Sequence, residues 1–415
     1  MDRRTFLKLC STVVFSSLLP FGFNGWAASP VNNGLKIDPK RKRLIVLFQR
    51  GAVDGLNLVV PFNEALYYDS RPTIAIPPPG AALGSLQLDK KFSLHPSLES
   101  ILPLWENRSL AFVHACGSPN PTRSHFEAQD YMENGTPGVK KTKDGWLNRL
   151  LAVLSKTPTG IRGISMGSPS PMILRGPVNI ASFPSKPASS NVLDNPLKLK
   201  EFEALYNTDK ELNEMLQEGL KSRKQLIADL EAERKEANNG APSTAGFVEN
   251  CNKLAQVIAK DPLMQVAFLD VGGWDTHINQ GGSTGQLASH LSTFSKGMAA
   301  IVKGLGPAFQ QTVVVVLSEF GRTVKENGHA GTDHGHGNVM WLTGGSINGG
   351  KVYGQWPGLN KSSLYEGRDL AVTTDFRQVL GLVLQKHFQL PFESINAVFP
   401  STPPLINKNV IEGII

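Results

Sequence analysis

Asp333, His334 and His336 sit between glycines in the stretch GTDHGHGN, Gly331 to Asn338, of a chain with only nine histidines. Imidazole and carboxylate together suit Zn²⁺, Mn²⁺ or Fe, whereas Ca²⁺ and Mg²⁺ prefer shells made of oxygen alone. Similar groups recur elsewhere: Asp54 in QRGAVDG, Asp275 and His277 in GGWDTH, and Glu319 with Arg322 in SEFGR. Four carboxylates and several histidines exceed the needs of one closed structural site. Two ions about 3.5–4 Å apart, clamping the attacking and leaving oxygens of a displacement, would use them. NPTRSH adds Thr122, Ser124 and His125. A hydroxyl at a helix N-terminus is a suitable nucleophile, because a metal lowers its pKa and the helix end favours an anion. Any one Asp-His pair in a glycine loop is more often a hydrogen-bonded turn; it is their joint occurrence that points to chemistry. His95, His114, His290, His329 and His387 lack such carboxylates and read as structural, and Asp270 reads as a loop cap.

The elements that must position these groups are legible as apolar runs. Leu44–Phe48, Leu110–His114, the run MQVAFLDVGG, Val313–Leu317 and the run VMWLTGG read as core strands. The β-branched TVVVVL suits a strand covered on both faces. A helical pattern spans about Gln286 to Leu305, and Thr122 or Ser124 can cap a helix containing Phe126 to Met132. Strands alternating with helices predict an α/β fold with a doubly wound, mostly parallel central sheet. Ligands of such sheets lie beyond the carboxyl ends of the strands, so residues that follow different strands can meet there. A Glu-, Lys- and Leu-rich stretch at about 196–258, with Leu212, Leu216 and Leu220 at helical spacing, predicts a helical insertion packed on the parent domain, ahead of a coiled-coil surface. SFPSKPASSN upstream reads as a linker or exposed loop.

Composition narrows the class. At 415 residues, with 40% hydrophobic and 19% charged residues, the chain can build a sizeable core. Residues 1–28 pair Arg3-Arg4 with an apolar stretch and small residues at Ala27 and Ala28, which resembles a twin-arginine export signal. The expectation is delivery to the periplasm or beyond by the twin-arginine translocase, with a water-soluble body from about residue 40 to 415 and no stable transmembrane segment after cleavage. The net charge of +7 includes +2 from Asp2, Arg3, Arg4 and Lys8, leaving about +5. That balance, with no basic stripe beyond Lys40–Arg43, argues against nucleic-acid binding. No GxGxxG follows a strand and no CxxCH occurs, which disfavours a cofactor-dependent oxidoreductase. Outside the signal, Cys116 and Cys251 could pair in an oxidising compartment.

LIVLFQRGAVDGLNLVVP, LAFVHACGSPNPTRSHFEAQDYMENG, GGWDTH, TVVVVLSEFGRT and GTDHGHGN, in that order, resemble the bacterial domain-of-unknown-function 1501 family, exported proteins grouped with the alkaline phosphatase and sulfatase superfamily. The resemblance implies an alkaline-phosphatase-like domain, with Asp54 as a first-strand metal ligand and Thr122 or Ser124 at the nucleophile position. CxPxR is absent, which disfavours a formylglycine sulfatase. SEFG stands where SDHG is usual, placing Glu319 at the aspartate position and Phe320 where a histidine is expected; Asp275 and His277 are two apart rather than four. The reading is an exported, metal-dependent hydrolase of phosphate or sulfate esters acting on a small anionic substrate. One or two divalent ions would be held by Asp54, Asp275, His277, Glu319, Asp333, His334 and His336, with Arg123 or Arg322 meeting the transferred anion. The alternative is a non-catalytic envelope binding or assembly protein on the same scaffold.

Overall fold

The structure, a computed structural model, describes residues 41–154, 161–167, 171–184, 236–261, 263–400 and 411–415. The export signal and most of the expected insertion lie outside these residues.

Among the described residues the main sheet has nine strands. They are β1 (Arg43–Gln49), β2 (Leu110–Gly117), β3 (Gly163–Gly167), β4 (Ala181–Pro184), β5 (Val266–Val271), β6 (Thr312–Leu317), β7 (Asn338–Gly344), β8 (Lys351–Tyr353) and β9 (Thr374–Asp375). Their order is β8-β2-β7-β6-β1-β5-β3-β4, with β9 also on β2. All five strands expected from sequence are present. Parallel pairing joins β1 to β5 and β6, β3 to β4 and β5, and β2 to β8 and β9. Only β7 runs against its neighbours, β2 and β6. The fold is therefore α/β with a mixed, mostly parallel sheet. Ser182 and Phe183, expected in a linker, belong instead to β4, paired with Ser165 and Met166; two such short strands carry too little periodicity to be read from sequence.

Alternation along β1 explains why the sheet is covered on both faces. Ile45 and Leu47 join one apolar cluster, while Leu44, Val46 and Phe48 join the other. The first cluster is closed by α3 (Phe247–Lys260) and α4 (Gln286–Leu305), the second by α2 (Trp146–Leu154) and α5 (Phe376–Leu382). Each large apolar side chain removed from water in these layers contributes about 1.5–3 kcal/mol. Helix α3 starts inside the expected insertion, yet Phe247, Cys251 and Leu254 are core residues, so from Phe247 onward the chain belongs to the α/β body. Cys116 on β2 and Cys251 on α3 are both buried and free, not paired. No helix among the described residues is long and apolar enough to cross a membrane.

Candidate metal centre

The parallel strands end at one edge of the sheet, and the antiparallel β7 begins there. GTDHGHGN precedes β7, so its side chains reach the edge where the residues following β1, β2, β5 and β6 also emerge. From β2 the chain runs through Thr122 to α1 (His125–Asn134). Ser124 caps α1, its Oγ accepting from the Glu127 amide at 3.5 Å, so the helix starts at His125 and turns that ring into the edge. The segment after β5 brings Asp275 and His277, and the first residues after β6 bring Glu319 and Arg322. Gly51 lets these segments close up: its φ is +116°, and a Cβ there would lie 2.7 Å from the Asp275 amide nitrogen.

Three imidazoles and one carboxylate converge. His334 Nε2 lies 2.9 Å from His125 Nε2 and 3.0 Å from His277 Nε2. Asp275 Oδ1 stands 3.8, 2.9 and 3.5 Å from Nε2 of His125, His277 and His334 respectively. The donor atoms of His125, Asp275 and His334 all lie within 4.8 Å of one another. Ligand bonds of about 2.0–2.1 Å around a tetrahedral ion place neighbouring donors about 3.3 Å apart.

The outer ring nitrogens decide what the inner ones can be. His125 Nδ1 meets Glu319 Oε1 at 2.8 Å, His277 Nδ1 meets Asp333 Oδ1 at 3.3 Å, and His334 Nδ1 meets the Arg123 carbonyl at 2.9 Å. All three partners are acceptors, so each Nδ1 carries the proton and donates. In a neutral ring that leaves an unprotonated Nε2 lone pair, and three of these face one another and a carboxylate. Such a set favours a cation. The Arg322 guanidinium meets it from one side, Nη2 2.5 Å from Asp275 Oδ1 and Nη1 3.4 Å from His277 Nε2, and oxygen acceptors behind the ring are the usual support of metal-binding histidines. Asp275 Oδ2, buried with no hydrogen-bond partner, is a further unused donor. The residues present fit one Zn²⁺-like ion.

Electrostatics agree with the geometry. Burial opposes the charged form of His125, but hydrogen bonds with Asp275 and Glu319 outweigh it and raise its pKa to about 9. Burial likewise opposes ionisation of Asp275, yet hydrogen bonds from His125, His277 and His334 and the Arg322 charge hold it well below the usual carboxylate range. Glu319, against the same burial penalty, is held at about 2 by His125 and Gln129. Burial leads the downward shift of His334. Without an ion, a proton on His125 takes the place of the cation.

Several expected site residues lie elsewhere. Asp54 is fully buried and held by Arg71, Nη1 at 2.6 Å and Nη2 at 3.1 Å, and by Gln280 Nε2 at 2.7 Å; its oxygens are spent on a structural ion pair. His336, two residues past His334, turns away: Nε2 meets the Ser118 carbonyl at 3.1 Å and the ring packs on Tyr365. Glu319 and Asp333 stand behind histidines as hydrogen-bond acceptors. The expected two-ion array thus contracts, among the described residues, to one donor cluster. Arg322 is not turned to a substrate, because it holds the carbonyls of Gly51, Ala52, Trp274 and Thr332 together with Asp275 Oδ1. Arg123 pairs with Glu366 at 2.6 Å and Asp369 at 2.7 Å. Thr122 Oγ1 donates to Glu127 at 2.9 Å. Phe320 packs its ring 4.9 Å from that of His125 and 5.1 Å from that of His334, walling the cluster with apolar surface.

Two residues escaped assignment by sequence. His125 finds its carboxylate partner, Glu319, on a distant segment; its position at the head of a strand-end helix was the available signal. Arg368, whose Nη2 donates to the His334 carbonyl and whose Nε donates to Asp369 at 2.8 Å, had none.

Fold and site together define an α/β protein with a His/Asp cluster at the carboxyl edge of its sheet. Residues 41–399 match the family model described as Protein of unknown function (DUF1501), and the chain belongs to that family. No curated protein matches. Among solved structures, Ps i-CgsB in complex with k-i-k-neocarrahexaose is 9% identical, with 86% of this chain and 74% of that one covered and a TM-score of 0.42. A protein in the alkaline phosphatase superfamily from Vibrio parahaemolyticus is 11% identical, covered over 76% and 63%, with a TM-score of 0.38. The C-terminal periplasmic domain of EcEptC from Escherichia coli, in complex with Zn, is 11% identical, covered over 74% and 75%, with a TM-score of 0.35. Likenesses this remote say nothing of activity.

Proposed function

We propose that the protein is an exported, metal-dependent hydrolase of small phosphate or sulfate esters, with one divalent ion held by His125, Asp275 and His334 and with His277 as a further donor. The observation that carries this is the set of three Nδ1–H groups bound outward, which aims three Nε2 lone pairs at Asp275 Oδ1. When bound, the ion would polarise an ester oxygen and lower the pKa of a nearby hydroxyl or water.

The chain's own groups supply the rest. Ser124 adjoins His125 and is held only by a long cap bond of 3.5 Å, so its hydroxyl can turn from capping to attack. Thr122, tied to Glu127, orients the loop that carries Ser124. Arg123 and Arg368, 33% and 44% exposed at their side chains, stand at the mouth in ion pairs with Glu366 and Asp369, which an anionic ester would have to displace to reach them. Glu319 and Asp333 fix the rings, and Phe320 keeps water from one side of the cluster.

The test is turnover of a panel of phosphate and sulfate monoesters by the purified chain loaded with Zn²⁺, Mn²⁺ or Fe²⁺. Activity lost in Asp275→Asn and Ser124→Ala, and kept in Thr122→Val, supports the reading; activity unaffected in Asp275→Asn sinks it. A second reading, a non-catalytic metal-holding envelope protein, is favoured by the structural engagement of Asp54 and Arg322; it predicts tight metal binding with no turnover across the panel.

A further inference from the structure

Helix α1 presents a second face beside the one that carries His125 and Gln129. Phe126 and Asp130, one turn apart, line a cavity of about 630 Å³ together with Arg50, Lys143 and Arg175. None of these five belongs to the His/Asp cluster.

Arg50 is the informative member. Its side chain is 1% exposed. Nε donates to Asp270 at 2.7 Å, and Nη1 donates to Gln129 and Glu133 at 2.8 Å each. Nη2 makes no hydrogen bond with any described residue. Burial works against its charge, but Glu133 and Asp270 hold the guanidinium ionised. A buried, permanently charged donor with one nitrogen unused, at the wall of a cavity, is built to receive an acceptor. Lys143 and Arg175 stand on the same wall as the carboxylate of Asp130, while Glu133 and Asp270 already pair with Arg50.

We propose that this cavity binds a phosphate- or sulfate-type oxyanion borne by a larger polar molecule. Arg50 Nη2 would donate to the oxyanion, Lys143 and Arg175 would balance its charge, and Phe126, 55% exposed, would offer a flat apolar surface to the remainder. The cavity lies within the usual volume of small-molecule sites, about 300–1,000 Å³, and exceeds what a free oxyanion fills. Glu319 connects it to the His/Asp cluster: Arg50 donates to Gln129, Gln129 Nε2 donates to Glu319 Oε1 at 2.9 Å, and Glu319 Oε1 accepts from His125. That the occupant is a second acidic group of the ester itself rests on the hydrolase reading; oxyanion binding does not.

The experiment is calorimetric titration of the full chain with inorganic phosphate and with inorganic sulfate, in three variants besides the parent. His334→Ala disables the metal cluster, while Lys143→Glu and Arg175→Glu reverse cavity charges, with folding checked by circular dichroism. Binding should persist in His334→Ala and weaken about tenfold or more in each charge reversal, as expected for loss of a charge-assisted contact. Binding abolished in His334→Ala, binding as tight as the parent's in both reversals, or no binding at millimolar anion would each overturn the proposal. Persistence in the turnover-dead His334→Ala separates failure of the cavity from failure of the hydrolase reading.

Discussion

Replacing Glu319 with Gln changes no volume and removes one charge behind His125. The Oε1 atom accepts from His125 Nδ1 and the Gly51 amide at 2.8 Å and from Gln129 Nε2 at 2.9 Å, while Oε2 accepts from Ser318 Oγ at 2.8 Å. A Gln carbonyl can serve either side, not both. If it stays on the Oε1 side, the His125 contact survives as a neutral bond of roughly half the strength. Loss of a carboxylate behind a metal-binding imidazole costs about 10–100-fold in metal affinity, or about 1.4–2.7 kcal/mol. Competition titration of Zn²⁺ against a chromogenic chelator at pH 7.5 reads this directly. Asp54→Asn, at a residue held by Arg71 and Gln280, should leave the same affinity within about twofold. Equal affinities for parent and Glu319→Gln, or a larger loss in Asp54→Asn, would refute the assignment of His125 as a ligand backed by Glu319.

Asp54→Asn should instead destabilise the fold by about 3–5 kcal/mol, since it breaks a fully buried pair with Arg71; urea unfolding measures it. His336→Ala should keep its full metal content by elemental analysis, because the ring faces Ser118 and Tyr365. Metal affinity should rise with pH by about one decade per unit from pH 7 toward 9, as the proton on His125, whose pKa is raised to about 9, must leave first. A flat profile in that window would exclude His125 as the titrating ligand. For His114 the shift runs the other way: burial lowers it to about 4. The unfolded chain therefore takes that proton first, and stability falls as pH drops from about 6.5 to 4, by about 3 kcal/mol from this residue. Thermal melts across that range should show a shallower slope in His114→Gln.

The core elements were readable in the chain because their signals are local. TVVVVL can bury both faces only as a strand in a covered sheet, and β6 spans Thr312–Leu317. The apolar repeat at Gln286–Leu305 makes α4 over those same residues, and Ser124 with Glu127 three residues on marks the start of α1. The side chains of the site were less readable. Asp54 and Asp275 both follow strands and look alike in sequence. Arg71 and Gln280, distant along the chain, take up the first, and three imidazoles gather around the second.

The strand-end segments that carry polar groups can be read from the chain alone, since periodicity and capping depend on neighbours in the chain. The tertiary structure decided which of those groups meet. The antiparallel β7 brings GTDHGHGN back to the edge where the parallel strands end, and it turns His334 inward while His336 faces Ser118. The start of α1 adds His125, which no local pattern distinguishes from a helix-capping neighbour. Long-range ion pairs then withdraw Asp54 and Arg322 into structural bonds, because a buried charge takes the nearest partner that compensates it, and that partner is set by packing rather than by position along the chain.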